Sequence, residues 1–356
     1  MKSIPPIVLP PISALYGAIT RSRIALYEHG TLVPNKLERP VISIGNITVG
    51  GTGKTPLVEW VARRLAENQL RVCILTRGYL RDNPKQRVLV SDGESVYSNV
   101  SEAGDEAFLL ATKLKGIAAV ISDANRTAAG EEAIRHLRPD CFLLDDGFQH
   151  LQLARDLNIV TIDATNPWGG GRLLPYGQLR EPLKGLKRAN CFVVTRTDQV
   201  KSLSPIEDEL LRVGGDRPIF HARFDTVRVR SLLADGSPQS NRCAAFCGIG
   251  NSDSFFTHLR QDGYELVLTK PFRDHYSFSQ EDIDSVTHEA NAAGADYLIT
   301  TEKDAVKLNG LKFNLPCFVV EVSLTIDDSD SLVKLLINSK KIFLAGETTQ
   351  KRKHLD

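Results

Sequence analysis

Hydrophobic runs of five to seven residues alternate with amphipathic stretches along most of the chain. The runs indicate buried β-strands, and the stretches between them have the period of about 3.6 residues that helices on a sheet show. This alternation is typical of an α/β fold with a mostly parallel sheet flanked by helices. Strands are predicted at 41–45, 72–76, 117–122, 141–145, 157–163 and 191–195, and helices at 56–67, 106–114, 126–137 and 205–213.

A second, smaller alternation begins after residues 218–232, where single apolar and polar residues alternate as in an extended strand. The chain has 356 residues, and single cores stop growing at about 250 to 300 residues. We therefore predict an N-terminal region (1–38), a first lobe (39–217), a linker strand (218–232), a smaller α/β lobe (233–340) and a tail (341–356). The second lobe has predicted strands at 243–247, 264–269, 297–300 and 317–322, and helices at 252–260, 280–292 and 330–338.

The N-terminal region combines an uncharged segment at 3–20 with four prolines. The prolines interrupt the segment, so it falls short of the roughly 20 continuous apolar residues of a spanning helix. An amphipathic helix is predicted after Pro11, with Arg21 and Arg23 among its polar positions. The helix either packs on its own domain or lies in the headgroup region of a bilayer. Its apolar face comprises Ile12, Leu15, Tyr16, Ile19, Leu26 and Tyr27.

The amino-acid composition indicates which kinds of molecule the protein is expected to bind. The 44 Lys and Arg residues nearly balance the 43 Asp and Glu residues, so no global field favours a nucleic acid, and none is expected as a partner. The six cysteines form no CxxC pair or metal cluster and are expected to be small core residues. Nothing in the composition fixes the oligomeric state.

The segment Thr48-Val-Gly-Gly-Thr-Gly-Lys-Thr55 has the spacing of a phosphate-binding P-loop, with Thr48 in place of the usual first glycine. A predicted strand precedes it, and Pro56 suits the first turn of the helix that follows. Glycines let backbone N–H groups close around phosphate oxygens at a helix N-terminus. Lys54 is expected to contact the β- and γ-phosphates, and Thr55 to bind Mg²⁺. The predicted nucleotide contacts are Thr48, Val49, Gly50, Gly51, Thr52, Gly53, Lys54 and Thr55.

A buried strand ends in the paired carboxylates Asp145 and Asp146. Magnesium prefers oxygen ligands and usually takes one or two carboxylates together with phosphates and waters. With a P-loop upstream, the pair is the expected second metal-binding element. The sequence leaves open which aspartate lies nearer the ion.

Further motifs resemble those of the tetraacyldisaccharide 4′-kinase family, the lipid A kinases of Gram-negative bacteria. They occur in the family's order and cover nearly the whole chain. They are Asn46 to Pro56, Thr76-Arg-Gly-Tyr79, Gly104-Asp-Glu106, Asp145-Asp-Gly-Phe-Gln-His150, Leu173-Leu-Pro175, Leu179-Arg-Glu-Pro182, Asp274-His275 and Thr301-Glu-Lys-Asp304. In one departure, Leu80 stands where the family commonly has glycine.

The resemblance implies transfer of the ATP γ-phosphoryl group to a hydroxyl of an acylated glucosamine disaccharide lipid. It places the catalytic aspartate at Asp105 and its histidine partner at His275, with Lys54 also catalytic. A carboxylate can take the proton of a sugar hydroxyl, and an imidazole can orient that carboxylate. An aspartate at this position also suits a helix N-cap, so the structural alternative stays open for Asp105.

The resemblance also suggests substrate contacts, each of which could instead be a structural ion pair. The candidates are Asn46, Arg77, Tyr79, Glu106, Arg126 and Glu181. Because the implied acceptor is a membrane lipid, the resemblance favours the interfacial role of the N-terminal helix. It implies a peripheral protein bound to an anionic membrane surface, at the cytoplasmic face of the inner membrane of a Gram-negative bacterium.

Two rival functions remain at this level. A regulatory GTPase is the main one, because Thr195-Arg-Thr-Asp198 and Thr301-Glu-Lys-Asp304 loosely resemble the element that reads guanine. Neither matches well: the first has arginine for lysine, and the second has glutamate between threonine and lysine. A non-catalytic nucleotide-binding scaffold is the other rival, and intact Lys54, Thr55 and Asp145 give it no support.

Overall fold

Twelve strands form one sheet in the computed structural model, which describes residues 8–233 and 236–338. The predicted tail at 341–356 lies outside these residues. The strands are β1 (Val41–Gly45), β2 (Val72–Thr76), β3 (Val88–Ser91), β4 (Ala118–Ser122), β5 (Cys141–Asp145), β6 (Leu157–Asp163), β7 (Cys191–Thr195), β8 (Ile219–Ser231), β9 (Arg242–Cys247), β10 (Glu265–Pro271), β11 (Tyr297–Thr301) and β12 (Cys317–Ile326).

Helices flank the sheet, as the sequence predicts. They are α1 (Leu9–Glu28), α2 (Lys54–Glu67), α3 (Val100–Ala103), α4 (Asp105–Lys113), α5 (Arg126–His136), α6 (Ser204–Gly214), α7 (Ser252–Gln261), α8 (Gln280–Ala292), α9 (Glu302–Ala305) and α10 (329–338). The mostly parallel α/β architecture is confirmed. The sequence misses the one-turn helices α3 and α9. It also misses β3, because this short edge strand is only half buried and lacks a continuous hydrophobic run.

The strand order is β10-β9-β11-β12-β8-β7-β6-β1-β5-β2-β4-β3. Strands β1, β2, β5, β6 and β7 are buried at every position. This burial explains their unbroken apolar runs, because a parallel sheet is covered on both faces. The six cysteines are all buried thiols, as predicted.

Strand β8 occupies the predicted linker and joins the two halves of the sheet. Its first residues pair in parallel with β7, up to the pair Val194–His221. From Ala222 onward β8 pairs with β12 in the antiparallel sense. Strands β11, β9 and β10 are parallel to β12, so the second half runs opposite to the first.

The N-terminal helix α1 packs on the segment 173–180 through small and polar side chains. Ser13 and Gly17 are its buried residues. The Ser13 hydroxyl donates to the Leu173 carbonyl at 2.8 Å, and the Tyr16 hydroxyl donates to the Arg180 carbonyl at 2.7 Å. The apolar side chains of the predicted face are mostly left uncovered: Ile12 is 39%, Leu15 63%, Ile19 60% and Leu26 41% exposed.

Adjacent leucines on α6 provide a test of the core. Leu210 is fully buried against the sheet, whereas Leu211 is 58% exposed. We expect Leu210→Ala to lower the free energy of unfolding by about 2 to 5 kcal/mol, because it removes transfer energy and leaves a cavity. Leu211→Ala is expected to stay within about 0.5 kcal/mol of the parent protein. Urea denaturation of both variants measures the difference, and equal losses would contradict this packing.

Candidate active site

A cavity of about 1260 Å³ lies between the two halves of the sheet. The P-loop follows β1, Asp145 ends β5, and Thr76 ends β2. These strands are neighbours in register, with Ile44 beside Asp145 and Leu75 beside Leu144. The carboxyl ends of parallel strands meet at one edge of a sheet, where ligands usually bind in such folds. The sheet order therefore brings the predicted phosphate and metal elements together.

Within the P-loop, Gly53 is the N-cap of α2. Its φ of 82° is a conformation that glycine adopts readily. Side chains below the loop fix its path. The Asn46 amide donates to the Thr52 hydroxyl at 2.9 Å, and that hydroxyl lies 2.8 Å from the Thr161 hydroxyl. Thr195 donates to the Thr52 carbonyl at 3.1 Å. These bonds leave the N-terminus of α2 facing the cavity, in the arrangement suited to phosphate.

Thr48 lies buried at the start of the loop, in a bridge with Leu179. The neighbouring Val49 N–H donates to the Gln178 carbonyl at 2.8 Å. The loop is thus anchored to the segment that also supports α1. Thr48 is therefore packed in the interior, whereas Gly50, Gly51 and Gly53 line the cavity.

A loop from the second half of the sheet lies directly over the P-loop. A Cβ atom added at Gly250 would approach the Gly51 nitrogen to 2.2 Å, so only glycine permits this contact. The next residue, Asn251, caps α7 and donates to the Asp163 carboxylate at 2.8 Å. The two halves therefore touch at the phosphate-binding loop itself.

The two aspartates after β5 have opposite electrostatic environments. Asp146 accepts two 2.8 Å hydrogen bonds from Arg180 and lies 3.6 Å from the Lys54 ammonium. These cations outweigh the effect of burial and hold the pKa of Asp146 well below its usual range. Asp145 accepts a 3.0 Å bond from Thr76. Burial, with Glu106 and Asp146 nearby, raises the pKa of Asp145 to about 7.

Asp145 is the better candidate for a metal ligand. Among the described residues, its buried carboxylate forms no ion pair with a Lys, Arg or His side chain, and the Lys54 charge lowers its pKa less than burial raises it. Asp146, in contrast, is already paired with Arg180. Thr55 lies at the start of α2 and lines the same cavity. Across residues 8–233 and 236–338, no cluster of three or more His, Cys, Asp or Glu side chains could hold a metal ion. Thr55 and Asp145 fit an ion that completes its shell with phosphate oxygens and waters.

Asp105 and His275, 170 residues apart, meet at the cavity. The His275 Nδ1 atom lies 2.8 Å from Asp105 Oδ2. Burial alone would raise the pKa of Asp105, but the hydrogen bond from His275 and the Lys303 charge lower it. The N-cap of α4 is Gly104, so the N-cap alternative for Asp105 is wrong, although Asp105 Oδ1 accepts a 2.8 Å bond from the Glu106 N–H.

The other predicted contacts fall into two groups. Arg77, Tyr79, Glu106 and Arg126 line the cavity. Asn46 and Glu181 are fully buried. Asn46 supports the P-loop, and Glu181 accepts hydrogen bonds from Gln149 at 2.8 Å and Arg188 at 2.6 Å. In this conformation Asn46 and Glu181 therefore hold segments of the protein together.

The loop at Arg77–Leu80 places the Tyr79 ring 5.0 Å from the His275 ring. Leu80 has a φ of 57°, the left-handed region that glycine adopts without strain. This conformation explains why glycine suits the position. The loop lies so close to α4 that a Cβ at Gly104 would meet the Tyr79 carbonyl oxygen at 2.8 Å.

A group of basic side chains lines another part of the cavity. Arg126 donates to His150 Nδ1 at 3.4 Å, so the neutral imidazole carries its proton on Nε2. Within the described residues, Arg126 Nε and His150 Nε2 are buried without a hydrogen-bond partner. Burial and the charges of Arg126, Arg155, Arg23 and Arg77 lower the pKa of His150 to about 3. Converging donors and positive charge of this kind suit an anionic group.

Several residues of the site were given no role at the sequence level. Arg180 and His150 lie inside the quoted motifs Leu179-Arg-Glu-Pro182 and Asp145 to His150, which was the available signal. Asn251 had none, because its contact with Asp163 joins residues 88 positions apart. Lys303 lies in Thr301-Glu-Lys-Asp304, one of the quoted family motifs, and contacts Glu106 at 3.0 Å.

Comparison with known proteins gives one consistent result. The LpxK family model, tetraacyldisaccharide-1-P 4′-kinase, matches residues 6–341. The chain is similar to tetraacyldisaccharide 4′-kinase of Geobacter sulfurreducens, with 42% identity over 309 residues that cover 83% of this chain and 82% of the relative. The tetraacyldisaccharide 4′-kinase of Halothermothrix orenii is 36% identical over 352 residues, covering 92% and 91%.

A solved structure agrees with these relatives. The crystal structure of "apo" form LpxK from Aquifex aeolicus in complex with ATP is similar with a TM-score of 0.72 and 32% identity. The similarity covers 94% of this chain and 99% of that one.

The contact between Asp105 and His275 leads to a prediction about phosphoryl transfer. If Asp105 takes the acceptor proton, Asp105→Ala should lower kcat by about 10² to 10⁴. If His275 acts through Asp105, the double variant should be scarcely slower than Asp105→Ala, because groups that act as a unit are non-additive.

The control is Asp105→Asn, which keeps the shape of the side chain but cannot act as a base. We expect it to retain the melting temperature and ATP affinity of the parent and to lose turnover. A stable Asp105→Asn variant with normal kcat would remove Asp105 from the mechanism, and additive losses in the double variant would mean that the two groups act separately.

Proposed function

The chain belongs to the tetraacyldisaccharide-1-phosphate 4′-kinase family, and from that membership we propose that it transfers the γ-phosphoryl group of ATP to the 4′-hydroxyl of a tetraacylated glucosamine disaccharide 1-phosphate. The product is lipid IVA, in lipid A (lipopolysaccharide) biosynthesis. The observation that supports this most strongly is the Asp105–His275 pair, 2.8 Å apart, in the same cavity as the P-loop. A buried base facing a phosphate site is what transfer to a hydroxyl requires.

In this reaction Asp105 accepts the proton of the 4′-hydroxyl as its oxygen bonds to the γ-phosphorus. The bond from that phosphorus to the β–γ bridging oxygen breaks, and ADP leaves. Lys54 and the N–H groups of the P-loop stabilise negative charge on the transferring group. A Mg²⁺ ion held by Thr55 and Asp145 would neutralise further charge on the phosphates. His275 orients Asp105 through its Nδ1 hydrogen bond.

The basic group around Arg126 and His150 is the proposed site for the 1-phosphate of the lipid. Its unpartnered donors, Arg126 Nε and His150 Nε2, are the reason, since an anionic oxygen would satisfy both. Arg77 and Arg23 line the same cavity and add positive charge. The proposed division of the chain follows from this arrangement: residues 39–217 bind ATP, and residues 233–340 supply His275 across the cavity.

The GTPase alternative is not favoured. The relatives are named as kinases. Asp304, which would have to read guanine, is fully buried and accepts a 2.9 Å bond from the Gly248 N–H. Arg196 of the other motif donates to Asp163 at 2.7 Å.

Helix α1 supports the proposal that the protein binds an anionic membrane surface peripherally. Across the described residues, no helix is long and apolar enough to cross a bilayer. Leu15 and Ile19 are each at least 60% exposed on a helix whose other side is held by Ser13 and Tyr16. Apolar side chains on an anchored surface helix, near Arg21 and Arg23, fit the headgroup region. We place the protein at the cytoplasmic face of the inner membrane, where the acceptor lipid would be reached.

Product formation tests the function directly. Purified protein, ATP, Mg²⁺ and the disaccharide 1-phosphate lipid in detergent are expected to give the bisphosphorylated lipid. Lys54→Ala should lower its formation by about 10² to 10³ or more, because a fixed charge is lost where charge develops. The melting temperature is the control for folding. Near-normal turnover in folded Lys54→Ala protein, or no product from the parent, would overturn the proposal.

Vesicle sedimentation tests the membrane proposal. Replacing Leu15 and Ile19 together by Ser should weaken binding to anionic vesicles, because each buried CH₂ contributes about 0.8 kcal/mol. Leu211→Ser is the control, since Leu211 is 58% exposed on α6, close to the exposures of Leu15 and Ile19. Deletion of the residues before Arg39 should release the protein more completely. Equal binding of all these proteins would assign the helix to domain packing alone.

A further inference from the structure

The motif Thr301-Glu-Lys-Asp304 has a structural place that the proposed reaction does not yet explain. It begins at the carboxyl end of β11, where Thr301 caps the short helix α9. Asp304 is fully buried and accepts hydrogen bonds from Thr301 Oγ1 at 2.8 Å and the Gly248 N–H at 2.9 Å. These bonds fix α9 beside the loop that covers the P-loop. Lys303 projects from this helix into the cavity.

The Lys303 ammonium connects both halves of the sheet at the catalytic pair. Its Nζ atom lies 3.0 Å from Glu106 Oε1, 3.3 Å from Asp274 Oδ1 and 3.3 Å from His275 Nε2. Glu106 adjoins Asp105 on α4, whereas Asp274 adjoins His275. Burial alone would lower the pKa of Lys303, but the carboxylates of Glu106, Asp274 and Asp105 raise it above its usual range. The side chain therefore stays an ammonium.

An ammonium has three donors and no acceptor. The contact with His275 Nε2 therefore requires that this nitrogen accept, which leaves the single imidazole proton on Nδ1. That proton can only be donated to Asp105 Oδ2, 2.8 Å away, so Asp105 must be the acceptor. Because Lys303 donates to His275 Nε2, His275 must donate through Nδ1 to Asp105.

We propose that Lys303 is a positioning residue that holds His275 as the neutral Nδ1–H tautomer and keeps Asp105 as the free carboxylate that receives the acceptor proton. This inference rests on the proposed function for its kinetic meaning, whereas the tautomer can be measured without it. Lys303 acts through His275 and Asp105. In the reaction it neither gains nor loses a proton.

The backbone conformation of His275 fixes the position of its ring relative to Asp105 and Lys303. His275 has a φ of 58°, a left-handed conformation that is uncommon outside glycine. Its N–H lies 3.0 Å from Asp274 Oδ1 and 3.1 Å from the Gly248 carbonyl oxygen. Asp274 Oδ1 therefore accepts from both the His275 backbone and Lys303. The same carboxylate thus holds the His275 backbone and the ammonium that selects the tautomer of its ring.

The charges around the pair come from every segment that surrounds it. Helix α4 supplies Asp105 and Glu106, and the loop after β10 supplies Asp274 and Arg273. Lys303 is on α9, and Lys307 follows it, paired with Asp304 at 2.8 Å. The Tyr79 ring, on the neighbouring loop, contributes no full charge. Because Lys307 already has its own carboxylate, Lys303 is the cation placed to control His275.

The pH dependence of kcat separates this role from a merely structural one. An opposite charge within a few ångströms lowers the pKa of a carboxylate by about 1 to 3 units. In Lys303→Met, Asp105 should therefore bind its proton at higher pH, because the Lys303 charge that lowers its pKa is gone. We expect the acidic limb of the kcat profile to move up by about one pH unit, with a lower plateau.

Two variants control this experiment. Lys303→Arg retains the charge and should return the limb close to its original pH. Lys270→Met removes a lysine of the same half that pairs with Glu289, at 2.6 Å, and should leave the profile unchanged. An unshifted limb in folded, active Lys303→Met protein would overturn the proposal. Absence of product from the parent protein would instead overturn the proposed function.

Nitrogen chemical shifts of the parent protein provide a test that does not require the variant to fold. With ¹⁵N-labelled histidine, and His275→Gln to assign the signal, His275 is expected to show a protonated Nδ1 and an unprotonated Nε2 at neutral pH. The Nε2–H tautomer, or a doubly protonated ring at that pH, would overturn the inference. This outcome is independent of whether the lipid is phosphorylated.

Discussion

Strand β8 imposes the geometry on which the whole site depends. It has 13 residues, and only its first three pair with β7. The remainder extends past the carboxyl edge of the first half of the sheet and pairs antiparallel with β12. Because β9, β10 and β11 are parallel to β12, their carboxyl ends are directed back toward those of β1, β2 and β5. Loops that follow parallel strands are where such folds bind ligands. One change of strand direction therefore directs two sets of functional loops at a single cavity.

Close approach of these loops requires small residues at specific points. Gly250 lies against Gly51, where any side chain would collide with the backbone of the P-loop. Gly104 similarly lets the loop with Tyr79 lie against the start of α4. The same glycines have no side chain to hold the halves together. That task falls to ion pairs such as Lys303–Glu106 and to the hydrogen bond between Asn251 and Asp163.

Charge is distributed unevenly among the buried carboxylates, and the distribution matches their proposed roles. Asp146 is neutralised by Arg180 and Lys54, and Asp105 is stabilised as an anion by His275 and Lys303. Asp145 forms no such ion pair among the described residues, and burial raises its pKa to about 7 although the Lys54 charge opposes this shift. A buried carboxylate without a cation favours protonation or a bound metal ion. These charges thus favour the ionised form of Asp105, the proposed base, and leave Asp145 for the proposed Mg²⁺ ion.

The sequence by itself determined most of the elements and the phosphate-binding loop. Buried strands such as β1 and β5 were located at their observed residues, because a strand covered on both faces needs an unbroken apolar run. The P-loop was recognisable because its glycines and Lys54 are contiguous. The pairing of Asp105 with His275 was available only through resemblance, since no local pattern joins residues 170 positions apart. Only the tertiary structure separated Asp145 from Asp146 and placed Asn46 and Glu181 in the interior. It also brought Lys303 to His275, because charges and donors on distant strands become neighbours only when the sheet is assembled.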